Sequence, residues 1–152
     1  MSNQKRFVLY TDGACLGNPG PGGWAYILMS EGEEVEGSGG ESETTNQRME
    51  VTAVLKALEQ LEEPSIVEIW SDSKYVTDGI NEWMDGWVAK GWKNSKKKPV
   101  ANQDLWKLIA ELREQHTLTT NWLKGHDGHP ENERCDELAS REAQLIQESL
   151  NI

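Results

Sequence analysis

Residues 6–30 read RFVLYTDGACLGNPGPGGWAYILMS and predict two strands separated by a turn. The segment 6–12 is rich in aromatic and branched side chains, as buried strands are, and it ends at Asp12. The segment 17–23 contains four glycines and two prolines, which predicts the turn. WAYILMS at 24–30 predicts the second strand. An acidic residue therefore stands at the end of an otherwise largely apolar strand.

The rest of the chain alternates between the periodicities of strands and helices. Further strands are expected up to about residue 43, at 66–72 and at 117–123. A helical pattern occupies 46–61, and Thr44, Thr45 or Asn46 could be its N-cap. A second pattern occupies 73–92, where internal glycines predict broken helices. Two more helices are predicted, one by the stripe Leu105, Leu108, Ile109 and Leu112 and one by the segment from about Asn132. This order predicts the α/β class, with a mixed five-stranded sheet flanked by helices.

Length and composition predict one soluble domain over 1–152. The 152 residues are 36% hydrophobic and 27% charged, which suits one buried core. No apolar run approaches the ~18 residues of a membrane span, and the first residues show no signal peptide. Cys15 and Cys135 make no disulfide framework. We therefore expect a cytoplasmic monomer that contacts no membrane.

The net charge of −11 is unfavourable for nucleic-acid binding when it is taken as a whole, because phosphates attract basic surfaces. The charge is unevenly distributed, however. Six glutamates fall between residues 31 and 43, whereas five of the fifteen basic residues fall within nine positions: Lys90, Lys93, Lys96, Lys97 and Lys98. Carboxylates that bind cations would also lower the net charge. A nucleic-acid partner is therefore compatible with the composition.

Four acidic residues occupy unusual positions for surface carboxylates. Asp12 and Asp72 each end a predicted apolar strand, and ligands bind at strand ends in α/β sheets. Helical spacing places Glu50 on the core side of its helix, and Asp136 directly follows Cys135 at the buried edge of the last helix. Buried carboxylates that share a site stay ionised together only around cations. Oxygen ligands without Cys or His suit Mg²⁺ or Mn²⁺.

Each of these acids also has an ordinary structural interpretation. Asp12 precedes a glycine, as in a common turn dipeptide, and Asp72 could cap the helix that follows it. Glu50 and Asp136 could complement helix dipoles as first-turn acids. Only their coordinated placement favours a metal site over these interpretations.

Two other sites are weaker hypotheses. A zinc site formed by His126, His129 and Cys135 would have the spacing H-x2-H-x5-C, which fits no standard zinc template. The glycine turn at 17–23 lacks the Gly-Lys-Ser/Thr ending of a phosphate loop.

Six motifs resemble, in order and spacing, those of bacterial type 1 ribonuclease H over about residues 6–146. They are TDGACLGNPGPGGWA, TTNQRMEV, SDSKYV, GWK, LW and KGHDGHPENERCDELA. The resemblance implies the ribonuclease H-like fold and endonucleolytic cleavage of the RNA strand in an RNA–DNA hybrid, which leaves 5′-phosphate and 3′-hydroxyl ends. It also implies two Mg²⁺ ions, for which Mn²⁺ can substitute.

The same resemblance assigns roles to individual residues. The metal-binding carboxylates of the family fall on Asp12, Glu50, Asp72 and Asp136, and its catalytic histidine falls on His126. Residues implied to hold the hybrid are Cys15, Asn18, Asn46 and Gln47 in the minor groove, Asn18 and Thr45 at a DNA phosphate, and Tyr75 and Trp83 along the DNA strand.

Four positions depart from the basic or small residues expected there. Val88 and Ala89 stand where relatives often carry basic residues, and Glu43 stands where relatives can offer a basic group to a DNA phosphate. These changes predict weaker hybrid binding. Asp127 follows His126 directly, and a carboxylate there would raise the pKa of the histidine.

Two other functions remain open on the sequence alone. The chain could be a hybrid-binding module without catalysis, although the presence of all four acids argues against this. It could also be another nuclease of the same superfamily, such as a resolvase or transposase core. The glycine turn in combination with TTN and GHPENERCDELA argues against the latter.

Overall fold

Five strands within the described residues, 4–124 and 129–151, form one mixed sheet in this computed structural model. They are β1 (Lys5–Cys15), β2 (Gly20–Ser30), β3 (Glu33–Thr44), β4 (Ser65–Ser71) and β5 (Thr117–Trp122). Their order across the sheet is β3-β2-β1-β4-β5. The strands β1, β2 and β3 pair antiparallel, whereas β4 is parallel to both β1 and β5. The predicted α/β class and mixed sheet are confirmed.

Helices cover both faces of this sheet. In the described part of the chain they are α1 (Asn46–Leu58), α2 (Lys74–Asp78), a π-helical turn (Gly79–Trp83), α3 (Met84–Ala89), α4 (Gln103–Gln115) and α5 (Pro130–Leu150). Because strand side chains alternate between faces, Leu9 and Tyr26 join the core under α1 and α4, whereas Ala25 and Ile27 pack with α5. None of the described helices is long and apolar enough to cross a membrane.

The first strand is longer than the sequence predicts. Asp12 does not end β1, because antiparallel pairing with β2 continues from Asp12 opposite Ala25 as far as Cys15 opposite Gly22. The glycines from Gly20 onward therefore belong to β2, and the predicted turn is shortened to residues 16–19. Only the parallel pairing of β1 with β4 stops before Asp12.

The helix boundaries also differ from those expected. Helix α1 ends at Leu58 rather than at residue 61, because the next amides of Gln60 and Leu61 bond to carbonyls three residues back in a closing turn. Its N-cap is Thr45, whose hydroxyl accepts from the amide of Arg48. Helix α5 begins at Pro130 instead of about Asn132, and proline suits the first helical position.

The expected broken helices at 73–92 form a continuous helical path from residue 74 to 89 with one π turn. Gly79 has helical backbone angles and lies against the ring of Trp106 on α4, where a Cβ would come within 2.3 Å of the ring. Gly79 therefore allows the helix to pack closely against Trp106 and does not break it. Gly91, with a φ of 67°, lies just after the helical path ends.

Candidate active site

Asp12 and Asp72 lie just beyond the parallel pairing of β1 with β4. Tyr10 and Trp70 form the last pair, so each aspartate is two residues further along its chain. Parallel neighbours that continue in the same direction bring both carboxylates to one edge of the sheet. The side chain of Asp12 is buried, with 6% of its residue surface exposed, and its Oδ1 accepts the amide of Gly13 at 2.9 Å.

The other three predicted carboxylates all act on the pKa of Asp12. Burial, followed by the negative charge of Asp72, raises the pKa of Asp12 to about 8. Asp136 and Glu50 also raise it, and the hydrogen bond from Gly13 opposes them. Asp72, Asp136 and Glu50 therefore all contribute to the negative field at Asp12.

Glu50 is brought to this edge by the close approach of α1 to β1. A Cβ on Gly13 would lie 2.5 Å from the backbone nitrogen of Glu50, so only glycine permits this spacing. Burial raises the pKa of Glu50 to about 7, a hydrogen bond from Ser73 lowers it and the charge of Asp72 raises it. Asn46 Nδ2 donates to Glu50 Oε1 at 3.4 Å across one helical turn.

Asp136 is held by the packing of α5 on β1 and β2. The preceding residue, Cys135, is fully buried, and its thiol donates to the carbonyl of Tyr10 at 3.5 Å. A Cβ on Gly23 would meet the carbonyl oxygen of Ala139 at 2.1 Å, so helix and strand touch through their backbones. The half-buried Asp136 lies close enough for its charge to raise the pKa of Asp12.

These donors fit hard divalent cations. They are carboxylate oxygens, and burial together with the negative charge of Asp72 disfavours the ionised forms of Asp12 and Glu50 when no positive charge is near. Within residues 4–124 and 129–151, no three His, Cys, Asp or Glu side chains are arranged to hold an ion as they stand. A cation would offset this repulsion and let the carboxylates approach each other.

The structure leaves the predicted roles of His126 and Asp127 untested, because both lie outside the described residues. The same applies to any zinc site that includes His126. His129 is described and is the N-cap residue of α5.

One group of predicted hybrid-binding residues gathers where the β1–β2 turn meets the start of α1. The thiol of Cys15 donates to the carbonyls of Gly20 and Thr44, each at 3.4 Å. Asn18 Oδ1 accepts the amide of Asn46 at 3.1 Å. Thr45 and Gln47 lie on either side of Asn46 at the helix start, and Gln47 is exposed. The turn and α1 are thus joined next to Glu50.

The other predicted group, Tyr75 and Trp83, lies on the helical path. Its ring centroids are 6.2 Å apart, and 39% of the Trp83 surface is exposed. The Tyr75 hydroxyl accepts from Asn102 Nδ2 and Trp106 Nε1, both at 3.1 Å. Trp106 itself is fully buried. Tyr75 is therefore part of the packing, whereas Trp83 presents a free ring surface.

A residue that the sequence analysis missed joins these two groups. Arg48 Nη1 and Nη2 donate to the two carboxylate oxygens of Asp104 at 3.0 and 2.6 Å, and Nη1 also reaches Asn102 Oδ1 at 3.4 Å. Ser73 was missed as well, although it lies beside Asp72 and hydrogen-bonds to Glu50. Arg48 lies within TTNQRMEV and Ser73 within SDSKYV, and this position in a motif was the only sequence signal for either residue.

Basic and aromatic residues share a groove beside the helical path. Lys90, Lys93, Trp83 and Trp87 line it together with residues of the following loop. The side chain of Asn94 organises that loop, because its Oδ1 accepts amides at 2.9 and 3.1 Å from positions two and four residues later. The exposed lysines of the loop therefore project from a defined backbone.

Comparisons with known proteins match this architecture. The model of the family described as RNase H matches residues 4–144. Ribonuclease HI of Brucella melitensis is 56% identical over 135 residues, which are 89% of this chain and 88% of the relative. A solved type 1 RNase H with the type 2 active-site motif is 28% identical with a TM-score of 0.84, over 96% of this chain and 75% of that chain. The foamy viral protease-reverse transcriptase, solved in complex with an RNA/DNA hybrid, is 25% identical with a TM-score of 0.71, over 93% of this chain and 20% of that chain.

Proposed function

Because the chain belongs to the RNase H family, a family of hydrolases, we propose that it is an endonuclease that cleaves the RNA strand of RNA–DNA hybrids. The products we propose are 5′-phosphate and 3′-hydroxyl ends. The complex of the foamy viral relative with an RNA/DNA hybrid supports the choice of substrate.

The observation that carries the proposal is the shared field of Asp12, Glu50, Asp72 and Asp136. Burial and the negative charges of Asp72, Asp136 and Glu50 together raise the pKa of Asp12 to about 8, against the hydrogen bond from Gly13. Such repulsion is costly for a protein unless cations use it. We propose two Mg²⁺ ions here, with Mn²⁺ as a substitute. When bound, the ions would activate a water and stabilise the leaving oxygen.

The chain's own residues orient the hybrid around this edge. Asn46 bonds to Glu50 and to Asn18, and Cys15 bonds to the carbonyl of Thr44 just before α1. From this place Cys15, Asn18 and Asn46 can meet the minor groove and the 2′-hydroxyl that distinguishes RNA from DNA. The groove with Trp83, Lys90 and Lys93 offers an aromatic face and positive charge to the DNA strand. His126 would move a proton near the reacting phosphate.

The test is a cleavage assay with four labelled substrates of one sequence. The chain should cut the RNA strand of the hybrid in Mg²⁺ and leave duplex DNA, duplex RNA and single strands intact. Asp12→Asn should abolish cutting while still binding the hybrid. Cleavage of duplex DNA would indicate another nuclease of the superfamily, and hybrid binding without cleavage would indicate a binding module.

A further inference from the structure

The indole of Trp122 holds the backbone of Asp72. Trp122 is the last residue of β5 and pairs with Ser71 of β4. Its Nε1 donates to the carbonyl oxygen of Asp72 at 3.0 Å. The next amide, that of Leu123, donates to the carbonyl of Ser71 at 3.0 Å. The peptide units of Ser71 and Asp72 are therefore both bonded to the end of β5.

A lysine covers the same indole. Lys74 Nζ lies 4.7 Å from the ring centroid of Trp122, which is within the range of a cation–π contact. Lys74 is the first residue of α2 and lies two residues after Asp72. The indole of Trp122 therefore contacts the chain on both sides of this turn: its N–H bonds to the carbonyl of Asp72, and its ring lies under the ammonium of Lys74.

The exposure of Trp122 argues against a role in core packing alone. Almost half of its surface, 48%, is exposed, and β5 is an edge strand of the sheet. A tryptophan this exposed adds little burial, yet its one polar atom makes a direct bond to a candidate metal ligand's backbone.

We propose that Trp122, steadied by Lys74, is a positioning residue that sets the orientation of the Asp72 carboxylate for the metal ions. This rests on the proposed function, because it concerns the same carboxylates. Partners that orient a metal ligand from behind change metal affinity or activity when they are removed. The backbone of Asp72 fixes the direction in which its side chain leaves the chain. Loss of the bond to its carbonyl therefore lets the carboxylate turn away from Asp12.

The test compares Trp122→Phe with Trp70→Phe. The first variant deletes the indole N–H and keeps a ring for Lys74. The second makes the same chemical change on the neighbouring strand, where Trp70 stacks on Tyr10 at 6.3 Å. In Trp122→Phe, we expect calorimetry without substrate to show Mg²⁺ affinity weakened about 10-fold, and kcat on the hybrid to fall by a similar factor with little change in KM. Trp70→Phe should change neither.

Two outcomes would overturn the inference. Unchanged Mg²⁺ affinity in Trp122→Phe shows that the indole bond does not set the Asp72 carboxylate. An equal loss in Trp70→Phe shows a general effect of removing a tryptophan from the sheet. If the wild-type chain binds Mg²⁺ but does not cut the hybrid, the proposed function fails and the calorimetric comparison still decides the positioning role.

Lys74 gives a second, independent measurement. Lys74→Met removes the ammonium and keeps the aliphatic stem. If the ammonium steadies the indole, Mg²⁺ affinity should fall about two- to five-fold, and Lys74→Arg should restore it. Tighter Mg²⁺ binding in Lys74→Met would instead show that the lysine acts only as a repelling charge, and would remove it from the proposal.

Discussion

Gly13 lies so close to the backbone of Glu50 that a residue with a Cβ atom would not fit at position 13. A Cβ on Gly13 would lie 2.5 Å from the backbone nitrogen of Glu50 and 2.6 Å from the carbonyl carbon of Met49. Both of these are backbone atoms, so a side-chain rotation cannot relieve the contact. The glycine therefore sets the distance between the strand that carries Asp12 and the helix that carries Glu50.

Gly13→Ala should separate these two elements. We expect unfolding free energy to fall by about 1–3 kcal/mol, because overpacking forces the backbone to shift. Activity on the hybrid should fall more than stability alone explains, since Glu50 moves away from Asp12. Urea denaturation and initial rates measure the two effects. Gly86→Ala is the control, because a Cβ there meets nothing within 4 Å, and it should stabilise α3 by about 0.5–1 kcal/mol. Wild-type activity in Gly13→Ala would contradict this account.

Asp12→Asn should make the metal-free protein more stable at neutral pH. A carboxyl whose folded pKa is raised to about 8 binds its proton more tightly in the folded state than in the unfolded state. Stability is therefore lost as pH rises from about 4 toward 8. The amide cannot ionise, so it removes this loss, and we expect a gain of about 1–3 kcal/mol at pH 8 in EDTA. The gain should vanish near pH 4. Added Mg²⁺ should stabilise the wild type more than the variant.

The elements that carry the site could be predicted because their signals are local. A short apolar run located β4 and helical periodicity located α1, although β4 ends at Ser71, one residue before the predicted end at Asp72. The full length of β1 could not be predicted, because residues 13–15 are held in the sheet by the glycine-rich start of β2. The local sequence does not distinguish a glycine that pairs with a neighbouring strand from a glycine in a turn.

Long-range contacts explain the other differences. The continuous path through Gly79 depends on the ring of Trp106, which lies 27 residues later, and no local period reveals it. The bond from Trp122 to Asp72 and the pair of Arg48 with Asp104 likewise join distant positions. Motif matching named the carboxylates but gave no role to the residues that hold them.

His116 should make stability decrease in mild acid. Its Nδ1 accepts the amide of Ser65 at 3.0 Å, and burial lowers its pKa below the usual 6.5. The folded state favours the neutral ring, so its contribution is complete above pH 7 and is lost as pH falls below 6.5. His116→Asn keeps an acceptor but cannot protonate. Between pH 7 and 5 the wild type should lose roughly 1 kcal/mol relative to the variant. Parallel stability–pH curves would refute this.

The pair of Arg48 with Asp104 should stabilise the contact of α1 with α4 above acidic pH. Its hydrogen bonds lower the pKa of Asp104, so the contribution is present at neutral pH and is lost as pH falls below 3.8. Asp104→Asn should lower unfolding free energy by about 0.5–1 kcal/mol at pH 7, a modest value because 61% of the Asp104 side chain is exposed. Glu59→Gln, at a looser 3.8 Å pair with Lys56, should cost less than about 0.3 kcal/mol.

Adding charge at Val88 and Ala89 should strengthen binding of the hybrid. Both residues are exposed at the end of α3, between the groove residues Trp87 and Lys90, and Val88 is 49% exposed. The double variant Val88→Arg, Ala89→Lys places two cations beside the DNA strand in our proposal. We expect the hybrid Kd to fall several-fold at low salt and log K to fall more steeply with log salt, by about one to two units of slope.

The matched control for that variant adds the same two charges on the opposite face of the sheet. Leu145 and Leu150 of α5 are 49% and 57% exposed, so Leu145→Arg, Leu150→Lys changes net charge equally without burying a cation. If local contacts with phosphate determine affinity, only the α3 variant steepens the salt dependence. Equal slopes would mean that the −11 net charge, rather than the missing cations on α3, limits binding. If the α3 variant gains more in hybrid affinity than in kcat, the missing cations on α3 limit binding of the DNA strand and not catalysis, because the carboxylate edge is unchanged in both variants.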